Sequence, residues 1–524
     1  MVKKFNETGL CFPEDHFMGD ISQKLAATYR MVEEGDYFII NRPRQYGKTT
    51  MLYTLTQKLN KTSEYMAFKM SFEGISDRNF LDETMFAPGF IRLLAKSARP
   101  FAPELADELR ALIPTVTNLD ELSDFITDFV EKMGKKVVLL IDEVDKSSNN
   151  QLFVSFLALL RDKFLDRKDT PTFHAVVLAG VHDVKSLKLK IRPDSESKYN
   201  SPWNIASVFN VDMNLSAAEI KVMLEDYVQV RGVKMDTQWV ADRLFYFTSG
   251  YPYLVSKLCK LIDEDILPQK TVKEWTEDDL NQAYQLILRE ENNANFDTLV
   301  KNLDHYRELY DLVFSLIFDG VKTDYNPLDA TIHLGILHGI FARSEQGYLM
   351  IQNRIYRELI AGMMISTWRT SHVSRAKPIF ESSQYLLPNN GLDMQKVITN
   401  FQTFMRENHS DKDGKFLERE GRLIFLAFLK PILNGAGFDF KEPQISDERR
   451  IDVVITYNNF KYIAELKIWY GEEAHQKGLT QLTDYLDRQN LDTGYLVIFD
   501  HSKRKSWKKD WLERDGKRIF WAKV

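Results

Sequence analysis

The sequence predicts a multi-domain α/β protein, and three observations carry that prediction. Short apolar runs alternate with helically spaced stretches in the N-terminal part. Helical patterning alone takes over after Val211. A second α/β pattern then follows a polar stretch at 370–395 that contains Pro388 and Gly391. The chain has 524 residues, room for about three or four domains at roughly 100–200 residues each. Apolar residues make up 44% and charged residues 27%, which excludes a mostly disordered or collagen-like chain.

The first strand is read at Tyr37-Phe38-Ile39-Ile40, and Met51, Leu52, Leu55 and Leu59 recur at helical spacing after it. A second buried strand, Val137–Ile141, ends in Asp142 and Glu143, with helical spacing resuming over 152–160. A third, Ala175–Leu178, ends in Ala179-Gly180. Strands alternating with helices imply a parallel sheet with crossover helices. Residues 216–290 read as helices, with a cap at Ser216 and a turn at Ser249–Pro252. Residues 300–375 read as helices followed by a hairpin turning at 344–347, the outline of a winged helix. A helix near 418–432, strands near 451–457 and 460–467, a helix near 472–488 and a strand near 494–499 complete the chain.

Two cysteines, Cys11 and Cys259, make no disulfide framework and point to a reducing compartment. With no apolar run of membrane length and no apolar leader at the N-terminus, cytoplasm is the default expectation and no membrane partner is expected. The net charge of −6 excludes a uniformly basic nucleic-acid coat. The segment 501–524 nevertheless holds nine basic and three acidic residues, so a polyanion partner is sought there. Trp507, Trp511 and Trp521 lie among those charges. Two readings are open, nucleic-acid backbone contacts or an amphipathic helix packing its tryptophans, and the helix is favoured.

Residues 41–50, with Arg44, Gln45, Tyr46, Gly47, Lys48, Thr49 and Thr50, join the first strand to its helix. Gly47 permits a backbone turn that a side chain disfavours. Amides at the helix start then converge on one spot, which suits a phosphate. Lys48 can reach the β and γ phosphates, and the Thr49 hydroxyl can ligate Mg²⁺. Arg42 stands where the usual pattern has its first glycine. On the second strand, Asp142 is placed to hold Mg²⁺ and Glu143 to orient or deprotonate the attacking water. The two motifs together make ATP and Mg²⁺ the expected cofactors.

The run Arg42–Thr50 resembles the variant phosphate loop of bacterial and archaeal AAA-like ATPases related to the STAND class. The segments 178–183, 201–206 and Gly250–Val255 are similar to theirs as well. The resemblance spans roughly residues 10–370. It implies a three-layer P-loop ATPase core at 1–215, a helical lid at 216–299 and a winged-helix module at 300–375. Packing is favoured over DNA binding for that module, which shows no basic stripe. Arg192 is either a phosphate contact or a surface residue.

In the C-terminal part, Asn458-Asn459 between two apolar runs suggests a two-residue hairpin. Tyr457 then faces Phe460, and counting back along both strands sets Asp452 directly across from Glu465. Lys467 shares that face. Two carboxylates so close favour a cation between them, and oxygen ligands suit Mg²⁺ or Mn²⁺. Lys467 adds a positive charge beside the metal. Asp452, Glu465 and Lys467 resemble the PD-(D/E)XK nuclease signature, over about 396–500. Upstream, Glu420, preferred over Glu418, matches the family's first acidic residue. Downstream, Gln481 and Tyr485, four apart on one helical face, look like the feature of the RecB-like branch. The family's proline is absent before Asp452.

The resemblances together imply a restriction-endonuclease-like domain at 396–524, joined by a linker at 376–395. They imply an ATP-binding, metal-dependent nuclease gated by or coupled to its ATPase module, acting on nucleic acid, DNA foremost, in defence against foreign DNA or in a mobile-element function. A homo-oligomer is left open. The alternative is an ATP-switched signalling or scaffold protein whose nuclease fold only binds.

Overall fold

The computed structural model describes residues 3–144, 151–180, 203–290, 293–319, 322–372, 385–408, 421, 424–426, 428–429, 432–433, 453–457, 460–469, 472–500 and 506–524. They group into two compact units. One comprises the chain up to Asn302 with 326–342 and 352–355; the other comprises 303–325, 343–351 and 356–524.

In the first unit, helix α1 (Ser22–Glu33) precedes β1 (Tyr37–Asn41), and α2 (Lys48–Asn60) precedes β2 (Tyr65–Ser71). Helices α3 (Glu83–Ala98), α4 (Pro103–Leu112) and α5 (Leu119–Met133) lead to β3 (Lys136–Asp142). Then α6 (Gln151–Leu165) leads to β4 (Ala175–Gly180). The sheet order is β1-β4-β3-β2, and every pair is parallel. Strands covered on both faces need apolar residues at consecutive positions, and Val137–Ile141 and Ala175–Ala179 are buried throughout. Local signals set the helix ends. Asn118 caps α5 by accepting the Glu121 amide, and Gly134 closes it in the left-handed region.

A run of helices follows: α7 (Ala217–Arg231), α8 (Thr237–Thr248), α9 (Pro252–Leu261), α10 (Glu277–Leu288) and α11 (Ala294–His305). Ser216 caps α7 in a reciprocal box with Glu219, as its sequence position predicts. Further on come α12 (Arg307–Phe314), α13 (Ala330–Leu337), β5 (Phe341–Arg343), β6 (Leu349–Ile351) and α14 (Arg354–His372). The expected turn is present, with the Ser344 amide donating to the Tyr348 carbonyl at 2.8 Å.

In the second unit, α15 (Met394–Asn408) precedes the antiparallel pair β7 (Val453–Tyr457) and β8 (Phe460–Ile468). Helix α16 (Glu472–Arg488) crosses over to β9 (Thr493–Phe499), which lies parallel to β8. Strands β10 (Lys509–Arg514) and β11 (Lys517–Lys523) extend the sheet to the order β10-β11-β9-β8-β7. The helix favoured for the basic tail is therefore a β-hairpin. Trp511 packs on Phe520 at 5.3 Å, and Trp521 lies against the apolar cluster beneath α16. Bulky aromatics spaced across a pleat suit strands as well as helices. Among the described residues, no helix is long and apolar enough to cross a membrane.

Candidate functional site

The loop after β1 meets α2 at Gly47, whose φ of +74° lies in the left-handed region. No side chain caps the helix there, so its first-turn amides remain available to an anion. A Cβ at Gly47 would meet nothing within 4 Å. The glycine is required by its backbone angle and not by crowding. Lys48 folds back on the loop, its Nζ donating to the carbonyls of Arg42 and Pro43, each at 2.7 Å.

The loop faces the end of β3. Asp142 is 2% exposed, and burial pushes its carboxyl up, opposed by a hydrogen bond from Thr49 and by Lys69. A hydroxyl and a carboxylate are the oxygen donors a Mg²⁺ ion prefers. Glu143 follows in a left-handed turn with φ of +57°. Burial also raises its carboxyl; the Ser71 hydroxyl, donating to Oε2 at 2.8 Å, lowers it, and Glu73 raises it again.

These groups line one cavity of about 710 Å³, within the usual range for a small-molecule site. Its polar floor is Arg44–Thr50 with Glu73, Asp142 and Glu143. Its apolar wall includes Met18, Ile21, Met213, Leu215, Met223 and Pro252. Several loop side chains are engaged by other residues. Gln45 donates to the Glu7 carbonyl at 3.3 Å. Tyr46 is buried and stacks on Tyr251 at 4.5 Å. The Thr50 hydroxyl accepts the Cys11 amide at 3.2 Å.

Two groups at the site carried no sequence motif. Ser71 ends β2 and pairs in register with Asp142; the alternating run Tyr65–Ser71 was the signal available. The N-terminal arm lines the cavity, from Asn6 to Lys24. It is tied to α9 by Glu7, whose carboxylate meets Lys260 at 2.6 Å and Lys257 at 3.1 Å, and by the Ser256 hydroxyl, which donates to the Asn6 carbonyl at 2.6 Å.

In the second unit, the β7–β8 register pairs Val453 with Ala464 and Tyr457 with Phe460, as the hairpin reading requires. Glu465 is fully buried, and Lys467 Nζ lies 2.8 Å from its Oε1. Helix α16 runs close over this strand: a Cβ on Gly478 would stand 3.3 Å from Lys467 Cγ. Gln481 is half-buried, and Tyr485 sits in an apolar cluster with Val454, Ile463 and Leu496. Burial raises the Tyr485 phenol. Glu420 and Asp452 lie outside the described residues, as does Arg192. Among the described residues, no group of three or more His, Cys, Asp or Glu side chains is arranged to hold a metal ion.

The family of AAA-like domains matches residues 20–317, more than half of the chain. The protein belongs to the AAA-like domain family. Its first unit therefore has an α/β P-loop ATPase fold with an ATP-binding loop, and ATPases of this kind use a nucleotide and usually Mg²⁺. No curated protein matches the chain. Among solved structures, a Walker-type ATPase of Pyrococcus abyssi is similar with a TM-score of 0.47 and 12% identity, over 68% of this chain and 99% of its own. The Holliday junction branch migration motor RuvB of Thermotoga maritima has a TM-score of 0.35 at 16% identity, over 66% and 95%. The ORC2 protein of Aeropyrum pernix, in ADPNP–ADP complexes, has 0.36 at 11%, over 65% and 93%.

Proposed function

We propose that this AAA-like protein hydrolyses ATP in its first unit and that nucleotide turnover there gates a metal-dependent nuclease in its second. The observation that carries the ATPase half is that Lys48, Thr49, Asp142 and Glu143 line one cavity. The donor set fits MgATP. The first-turn amides of α2 and the Lys48 ammonium receive the phosphates, Lys48 leaving the carbonyls of Arg42 and Pro43 to do so. Thr49 and Asp142 would hold Mg²⁺, which neutralises phosphate charge when bound. Glu143 takes a proton from the attacking water; burial raises its affinity for protons, which strengthens it as a base. Ser71 fixes its carboxylate. The ATPase core is assigned to 1–215, the helical lid to 216–299 and the winged helix to 300–375.

The nuclease half rests on the buried carboxylate of Glu465 beside Lys467. It is supported by the order antiparallel pair, crossover helix, parallel strand. Glu465, with Asp452 and Glu420, would hold Mg²⁺ or Mn²⁺. Lys467 would stabilise charge on the scissile phosphate. DNA is the expected substrate.

The test uses the full chain with linear and closed-circular DNA and with RNA, in Mg²⁺ or Mn²⁺, with and without ATP. Cleavage that disappears in Asp452→Ala and depends on ATP until Lys48→Ala removes that dependence is the expected result. ATP binding without cleavage of any substrate would refute the nuclease half alone.

A further inference from the structure

We infer that Tyr251 and Asn295 are positioning residues for the phosphate loop, holding its tip from the helical segment that follows the sheet. The inference rests on the ATP reading of the cavity.

The loop lacks the first glycine of the usual pattern and carries Arg42 there. Its guanidinium does not enter the cavity. It donates to the Val211 carbonyl at 3.0 Å and lies over the Phe209 ring at 5.6 Å, pinning the start of the loop. The tip is a separate problem. Gln45 has φ of +59°, a backbone angle that L residues other than glycine adopt only when their surroundings impose it.

The surroundings are specific. The Asn295 amide nitrogen donates to Gln45 Oε1 at 2.5 Å and to the Tyr251 hydroxyl at 2.6 Å, using its two hydrogens. The Tyr251 hydroxyl passes its own hydrogen to the Arg44 carbonyl at 2.9 Å. The Tyr251 ring stacks on Tyr46. Three consecutive loop residues are thus each held by one of two side chains.

Tyr251 is itself firmly placed. Gly250 has φ of +74°, and a Cβ there would stand 1.9 Å from the Leu215 carbonyl oxygen. Asn295 opens α11 and Tyr251 precedes α9. The loop therefore takes its shape from helices that come far later in the chain. A loop already set in its phosphate-accepting shape binds without the cost of ordering. Loss of the clamp should then appear in binding and leave the chemical step alone.

The experiment compares the full chain with Tyr251→Phe, Asn295→Ala and their double variant, with Lys48→Ala as the control for the site itself. Tyr251→Phe keeps the ring stack and removes only the hydroxyl. The readouts are Kd for a fluorescent ATP analogue, KM and kcat for MgATP, hydrogen exchange at the Tyr46 and Gly47 amides without nucleotide, and the unfolding midpoint. Expected is a Kd and KM raised about three- to tenfold, as for one lost hydrogen bond, with kcat within about twofold. Loop exchange should be faster and the midpoint unchanged, and the double variant should fall short of the product of the singles. Wild-type Kd and loop exchange in both single variants, with binding lost in Lys48→Ala, would overturn the clamp and leave the ATP reading standing. An affinity loss that merely tracks a fall in the unfolding midpoint would overturn it too, as ordinary packing. Wild-type protein that binds no nucleotide would remove the ATP reading and the clamp with it.

Discussion

Replacing the Glu7 carboxylate by a neutral amide, Glu7→Gln, should loosen the N-terminal arm while leaving the sheet intact. The Glu7 carboxylate meets Lys260 at 2.6 Å and Lys257 at 3.1 Å, with side-chain exposures of 19%, 31% and 12% for the three residues. That shielding makes the contacts worth more than a surface pair. Lys257 also pairs with Glu290 at 2.7 Å, so the substitution strands no buried charge. A hydrogen bond to a charged group contributes about 1.5–3 kcal/mol, and a neutral one about 1. Lys260 meets Oε1 and Lys257 meets Oε2, so the glutamine keeps one acceptor for one lysine and turns an NH2 toward the other; the loss is at least about 1.5 kcal/mol, or roughly tenfold in a local opening equilibrium. Hydrogen exchange reads that opening at two amides of the arm: Lys4, which donates to the Asp15 carbonyl, and Phe17, which donates to the Lys4 carbonyl. Both should exchange about tenfold faster, with β3 and β4 unchanged. Acid gives a second readout. Burial raises the Glu7 carboxyl, but the bonds from Lys260 and Lys257 outweigh it and hold it below its ordinary 4.5. The stabilisation is therefore complete above that value and fades as pH falls through the lowered one. The Glu7→Gln variant, which has no carboxyl to titrate there, should not show this fading. Exchange within twofold of wild type, or the same acid profile in both proteins, would refute the reasoning.

The other expectations concern single contacts. Ser71→Ala removes a bond that lowers the Glu143 carboxyl, so the acid limb of the kcat/KM profile should move to higher pH and kcat should fall about tenfold. An unmoved limb would argue against Glu143 as the base. If the second unit is the proposed nuclease, Glu465→Gln and Lys467→Met should each cut metal-dependent cleavage by at least about a hundredfold while the Kd for ATP stays the same; a nicking assay beside nucleotide binding reads both. Gly250→Ala must relieve both a positive φ and a 1.9 Å collision with backbone. It should cost about 3–5 kcal/mol in denaturant unfolding, and a wild-type midpoint would contradict the geometry.

Strands buried on both faces announced themselves, because consecutive apolar residues bounded by a glycine or carboxylates suit few other elements. Val137–Asp142 and Ala175–Gly180 are examples. Helix α16 matches its predicted bounds, with Leu479, Leu482, Tyr485 and Leu486 recurring at helical spacing over its second half. Tyr65–Ser71 was less legible: Lys69 interrupts it, and its half-buried pattern is that of an edge. The basic tail misled because Trp507, Trp511 and Trp521 fit a helical stripe roughly as well as a pleat. A candidate site is legible where one short segment holds it, as at Gly47-Lys48-Thr49. It is not where the chain assembles it from distant parts. Nothing near Ser71 foretells Glu143, and nothing near Gln45 foretells Asn295. The arm from Asn6 to Lys24 reads as an ordinary loop until its polar groups find α9.

The strand that carries the phosphate loop is the first of its sheet to be synthesised and among the last to be paired. β1 lies beside β4 alone among the strands, Tyr37 against Val176, and its other edge meets Ser207, whose amide donates to the Tyr37 carbonyl. On a translating ribosome moving at about 5–20 residues per second, Tyr37-Phe38-Ile39-Ile40 waits roughly 7–30 s for its partner. During that interval it is an apolar segment without a strand partner, a natural target for chaperones and for mispairing. Contacts so distant in sequence also make folding slow. A ligand in the cavity can therefore select the finished unit, but it cannot template the first steps of making it.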